Sequence, residues 1–206
     1  MIGKMINSNV KEQVCGVLNK GTIISENTDP ETLSELISAL IVVHIKYWQF
    51  EDSIEEIQDL STIGRLKKDT NSLFKVDRPE LIKRIDGIIL ELLKSGEITD
   101  QNRCSLTSSI SSNLDKIVSS EKFDLLYSDT LSELIDKIII IQIRRWHIVN
   151  SLSEETSNHI TLKLKTLDKD KIPMLIGCLD KLLVLIARGK VDFIPVNVKF
   201  YSGFNK

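Results

Sequence analysis

The sequence predicts an all-α protein, a helical bundle made of two tandem pseudo-symmetric helical units with an extended C-terminal tail. Three observations carry that reading. Apolar residues make up 42% of the 206-residue chain, while aromatics are only 5% and glycine and proline are few. That profile suits helices better than sandwiches or barrels. Apolar residues recur at helical spacing through the longest segments. A helical unit occurs twice. Thr32–Leu36 reads TLSEL and Thr130–Leu134 reads TLSEL again, 98 positions later. In the same register, LIVVHIKYW ending at Trp48 faces IIIIQIRRW ending at Trp146. The match returns 94 positions apart, with Arg78–Asp86 (RPELIKRID) facing Ile172–Asp180 (IPMLIGCLD). Pro79 pairs with Pro173, Leu81 with Leu175, Ile82 with Ile176 and Asp86 with Asp180. Internal similarity at a long period marks a repeated supersecondary unit.

The elements follow in order. A short helix is expected near Val10–Asn19. A long helix runs from about Pro30 to Asp59, with Asp29 as N-cap and Pro30 at the first helical position. A middle helix covers Ile63–Phe74. After a loop, a further helix opens at Pro79 and stops before Gly96. The second unit repeats this with helices over Thr107–Ser119, Ser128–Leu152 and Pro173–Arg188, the last stopping before Gly189. The serine-rich stretch Ser105–Ser120 links the units. The alternating tail Val191–Phe204 reads as an extended strap across the helices. Residues 1–104 form the first unit and residues 105–206 the second, sharing one core.

Bulk charge narrows the function. Twenty-seven basic and 29 acidic residues are well mixed for a net charge of −2, so no basic stripe invites nucleic acid. Cys15, Cys104 and Cys178 are far apart and odd in number, the pattern of reduced, buried thiols in a cytoplasmic protein. The greasy runs Leu36–Val43 and Ile138–Ile141 fall far short of the ~20 residues of a membrane span, and no signal peptide is evident. His44, His147 and His159 lack ligand spacing. Phosphate loops and nucleophile elbows are missing too, so no cofactor is expected.

Polar residues on an apolar face stand out. On a helical wheel Leu33, Ile37 and Leu40 set the buried face of the long helix, which continues through His44, Trp48, Glu51 and Glu55. The second copy carries Gln142, Trp146, Val149 and Asn150 where the first carries His44, Trp48, Glu51 and Asp52. Arg78 becomes Ile172. The expectation is a buried Glu51–Arg78 ion pair replaced by an apolar pair in the second copy, an exchange often neutral or stabilising. Arg78 also sits at a helix N-terminus, where a cation needs an anion nearby. Such a set either fixes helix register or lines a ligand pocket.

The first copy resembles a helical family of unknown function from bacteria and phages. That family shows Trp-x-x-Glu-Asp and then a stretch with Arg-x-x-Leu-Ile-x-x-Ile-Asp. The matching residues are His44, Trp48, Glu51, Asp52, Lys68, Arg78, Leu81, Ile82, Ile85 and Asp86. The sequence departs from the family pattern at Asn71-Ser72, Lys75 and Pro79-Glu80. The resemblance implies the helical fold and a candidate ligand-binding set of His44, Trp48, Glu51, Asp52, Lys68, Arg78 and Asp86. It implies no reaction.

The leading expectation is a non-catalytic binding or interaction module with one polar half-site. It would take a small molecule or a protein partner, as a sequestering protein of phage or bacterial origin would. Neither nucleic acid nor membrane is expected as a partner, and monomer and homo-oligomer remain alternatives. The second expectation is a magnesium-dependent nucleotide hydrolase of the helical pyrophosphatase type, its metal on Glu51, Glu55 and Asp59 and a weaker facing set at Asp69 and Asp86.

Overall fold

A computed structural model describes residues 2–20, 29–57, 59–95, 104–113, 129–150 and 158–189. These residues are all-α and contain no strand. The elements are α1 (Ile2–Lys20), α2 (Leu33–Glu56), α3 (Leu60–Ser72), α4 (Arg78–Ser95), α5 (Ser105–Ser111), α6 (Leu131–Asn150), α7 (Asn158–Thr166) and α8 (Ile172–Ala187). None of the described helices is long and apolar enough to cross a membrane. The expected tail strap lies outside the described residues.

The duplicated TLSEL is a helix start. Thr32, not Asp29, is the N-cap of α2. Its hydroxyl accepts from the Glu35 amide, and the Glu35 carboxylate accepts from the amides of Thr32 and Glu31. Those amides hold the Glu35 carboxyl below the usual carboxylate range. Thr130 and Glu133 make the same reciprocal pair at the start of α6. Each Thr-x-x-Glu satisfies two amides that an open helix end leaves unpaired. At the other end, α2 stops at Glu56, because Asp59 is the N-cap of α3 and accepts from the amides of Ser61 and Thr62.

The proline-opened helices are a further correction. Instead of a loop before Pro79, α3 continues into α4 through a five-residue π-helical segment, Leu73–Asp77. A second such segment, Leu167–Lys171, joins α7 to α8 ahead of Pro173. In both, the residue before the proline donates its amide five residues back, Arg78 to Leu73 and Ile172 to Leu167. Proline lacks an amide hydrogen and clashes with the carbonyl four residues before it. A single wide turn relieves that clash and lets the rod continue. The missed helix α7 follows from the same fact, since the second rod begins well upstream of Pro173.

Each unit is therefore a capped long helix followed by a rod with a π segment at the equivalent place. Side-chain pairs confirm the register. Tyr47 packs on Phe74 with ring centroids 4.2 Å apart. Their counterparts, Arg145 and Asp168, form an ion pair at 2.7 Å. The same two positions meet in both units, with different chemistry.

The apolar core is one cluster drawn from α1, α2, α4, α5, α6 and α8. Helix α1 packs on α2, α6 and α8 and so bridges the units. Gly3 permits its close approach to α8, where a Cβ would stand 2.8 Å from the Ile176 carbonyl oxygen. Helix α8 ends at Ala187 with Arg188 as its cap, and Gly189 follows at a φ of 61°, a left-handed turn that glycine adopts without penalty. The three cysteines are free, as expected of reduced thiols, and partly buried.

Candidate functional site

The charged cluster forms between the units rather than inside the first. His44 lies in the middle of α2, and Arg78 opens α4 directly after the π segment. Both converge on Asp136 of α6. His44 Nε2 is 2.6 Å from Asp136 Oδ1. Arg78 donates from Nε to Oδ1 at 3.2 Å and from Nη2 to Oδ2 at 2.6 Å. The carboxylate only accepts, so the imidazole carries a proton on Nε2. Phe74 closes the side, its ring edge-on to His44 at 5.7 Å, with the Arg78 guanidinium 5.5 Å from its centre.

The Asp136 side chain is 3% exposed, against 28% for Arg78. Burial pushes the Asp136 carboxyl up, but the hydrogen bonds and charges of His44 and Arg78 outweigh it and hold the group below the usual carboxylate range. Both carboxylate oxygens and His44 Nε2 are occupied. The cluster works as a clamp joining α2 and α4 of the first unit to α6 of the second.

The expected Glu51–Arg78 pair is overturned. Glu51 is exposed, one turn beyond Tyr47 on α2. Its counterpart Val149 is also exposed, at 38%. A helical wheel gives the angle of a side chain but not its height along the axis, and beyond Trp48 helix α2 leaves the core. The residue exchanged in step with Arg78 and Ile172 is instead Asp136, whose counterpart is Ser38. The signal was present, since Asp136 interrupts the apolar run LIDKIIII at a buried register.

The equivalent half-site is built differently. Gln142 donates to Asn7 Oδ1 at 2.8 Å, and the Ser38 hydroxyl bonds Gln13. Asn7 and Gln13 both belong to α1, which covers this half. Ile172, the counterpart of Arg78, is buried and carries no charge.

Asp86 is buried but apart from this cluster. Its Oδ1 accepts from the Ser132 amide at 3.1 Å, at the N-terminus of α6. Its counterpart Asp180 accepts from the Gly3 amide at 2.8 Å, at the N-terminus of α1. Each aspartate answers the partial positive charge of a helix start. Burial pushes the Asp180 carboxyl up, against the pull of the Gly3 amide.

The remaining candidates scatter. Asp52 and Lys68 are exposed. The Asp59 carboxylate, one of the alternative metal ligands, is engaged as the α3 cap, and the hydroxyls of Thr62 and Ser61 hold it far below the usual range. No group of three or more His, Cys, Asp or Glu among the described residues is placed to hold a metal. The structure thus brings together His44 and Arg78 only.

Trp48 lies on the seam and stacks on His147 of α6, centroids 4.8 Å apart and planes 12° from parallel. Next to this stack opens a groove of about 570 Å³ between α6 and α7. Ile148, Ile160 and Leu167 line it, together with Arg144, Lys163 and Lys171. Sequence reading missed this groove because every candidate site residue it named lies in the first unit. The first unit has an equivalent hollow of about 410 Å³ bordered by Lys46, Phe50 and Leu66, the counterparts of Arg144, Ile148 and Ile160. Repeat alignment could have found the difference: Asp69 and Asp77 in the first unit become Lys163 and Lys171 in the second.

Comparison with known proteins adds no relative, since no family model, curated protein or solved structure matches the chain.

Proposed function

We propose that the protein is a non-catalytic helical binding module whose ligand occupies the groove of the second unit. The observation that carries this reading is the asymmetry of two equivalent hollows. The groove at α6–α7 is larger, takes in Trp48 from the other unit, and has two lysines where the first unit has aspartates. Its volume falls in the range of small-ligand pockets, roughly 300–1,000 Å³. The His44–Asp136–Arg78 cluster supports the same reading from the other side. Both Asp136 oxygens are taken up by His44 and Arg78, so the cluster serves the fold and holds the two units in register.

Thermal-shift titration of a small-molecule panel tests this. A ligand that binds only the folded state raises the midpoint with concentration. Leu162 lines the groove and is 60% exposed, so Leu162→Glu should leave the fold intact and abolish that shift. Magnesium-dependent turnover of a nucleotide, or a ligand whose stabilisation is unchanged in Leu162→Glu, would overturn the proposal.

A further inference from the structure

The chemistry of the groove goes further than its existence. Its floor is apolar, built from Ile148 and Ile160 with the Leu167 side chain, and one wall is the Trp48 ring. Its rim is cationic, with Arg144, Lys163 and Lys171 all exposed. Among the described residues no aspartate or glutamate lines it. Lys163 and Lys171 stand eight residues apart on one rod, roughly 12 Å at helical rise. A cationic rim over an apolar floor is complementary to a molecule with an acidic head and an apolar body. A neutral apolar ligand would leave the rim unanswered, and a small inorganic anion would leave the floor empty. The first unit supplies the contrast: Asp69 and Asp77 stand at the lysine positions, and Lys46 is the one charged residue among the described residues that line its smaller hollow.

We propose that the groove binds an amphiphilic organic anion, an acyl or aromatic body carrying one carboxylate, sulfonate or phosphate held by the rim lysines. This rests on the binding reading above and names the ligand class.

The test uses the full chain and three probes: anilinonaphthalene sulfonate as fluorescent reporter, decanoate as anionic competitor and decanol as neutral competitor. Decanoate should displace the reporter at least about tenfold more effectively than decanol. The double variant Lys163→Asp with Lys171→Asp carries the first unit's own residues at exposed positions. It should weaken decanoate about tenfold or more and leave decanol within about twofold. Circular dichroism confirms that the variant is folded. Equal displacement by decanol and decanoate, both lost in Leu162→Glu, would overturn the anion class while the binding groove stands. Reporter binding that ignores both Leu162→Glu and the lysine reversals would overturn both. Displacement by an acidic amphipathic peptide but not by decanoate would overturn the small-ligand proposal and give the groove to a protein segment.

Discussion

Removing Asp136 should be the most damaging polar substitution in the described structure. Its side chain is 3% exposed and both oxygens are bonded, to a His44 that is itself 7% exposed and to Arg78. Asp136→Leu would leave the imidazole buried without its acceptor and the guanidinium without its anion. Stranding a buried charge costs ~3–5 kcal/mol. Arg78 is 28% exposed and can turn partly to solvent, which places the expected loss near the lower figure, about 3 kcal/mol. For a chain of this length that lowers the thermal midpoint by roughly 6–12 °C. The triple variant His44→Leu, Arg78→Met, Asp136→Leu removes every member at once. It should return to within about 1–2 kcal/mol of the parent, because well-packed apolar groups replace a buried ionic set at little cost. Urea unfolding monitored by circular dichroism measures both. The pH dependence gives a second readout. Folding holds the Asp136 carboxyl below its unfolded value, so its stabilisation is present above about pH 4, the ordinary aspartate value, and is lost as pH falls through the lowered one. The stability of the parent relative to the triple variant should therefore fall in acid. A triple variant as unstable as the sum of its singles, or a parent–triple difference that does not move with acid, would refute the clamp.

Other outcomes follow from the same geometry. Glu51→Val should change stability by less than about 0.5 kcal/mol, because Glu51 is exposed; a loss comparable with that of Asp136→Leu in the same urea assay would restore the buried pair. Gly3→Ala should destabilise by about 1–3 kcal/mol, since its Cβ would stand 2.8 Å from the Ile176 carbonyl oxygen; hydrogen exchange should show the loss in α1 and α8 first. Thr32→Ala and Thr130→Ala should each cost about 1 kcal/mol by removing one cap. Calorimetry of the single and double variants should show additive losses, because the two caps are local to different helices.

The sequence by itself determined the helical class, the duplication and its two offsets. Hydrophobic period and internal identity are local properties that survive without knowledge of packing. It also held the caps in plain view, as Thr-x-x-Glu twice, and the equivalence of Pro79 and Pro173. Only the tertiary structure decided what the polar residues do. Glu51 and Arg78 looked paired because their counterparts are both apolar. Arg78 instead reaches across the unit boundary to Asp136, and a repeat alignment compares positions within units without showing contacts between them. Height along α2 separated His44 from Glu51, although both share one face of the wheel. Helix α1 decided the rest: its Gln13 and Asn7 bond Ser38 and Gln142, while the other half is closed by the charged clamp, so two similar units ended with different half-sites. The basic groove belongs to that level too. Its lysines are visible in the sequence, but the apolar floor beneath them exists only once α6, α7 and Trp48 are brought together.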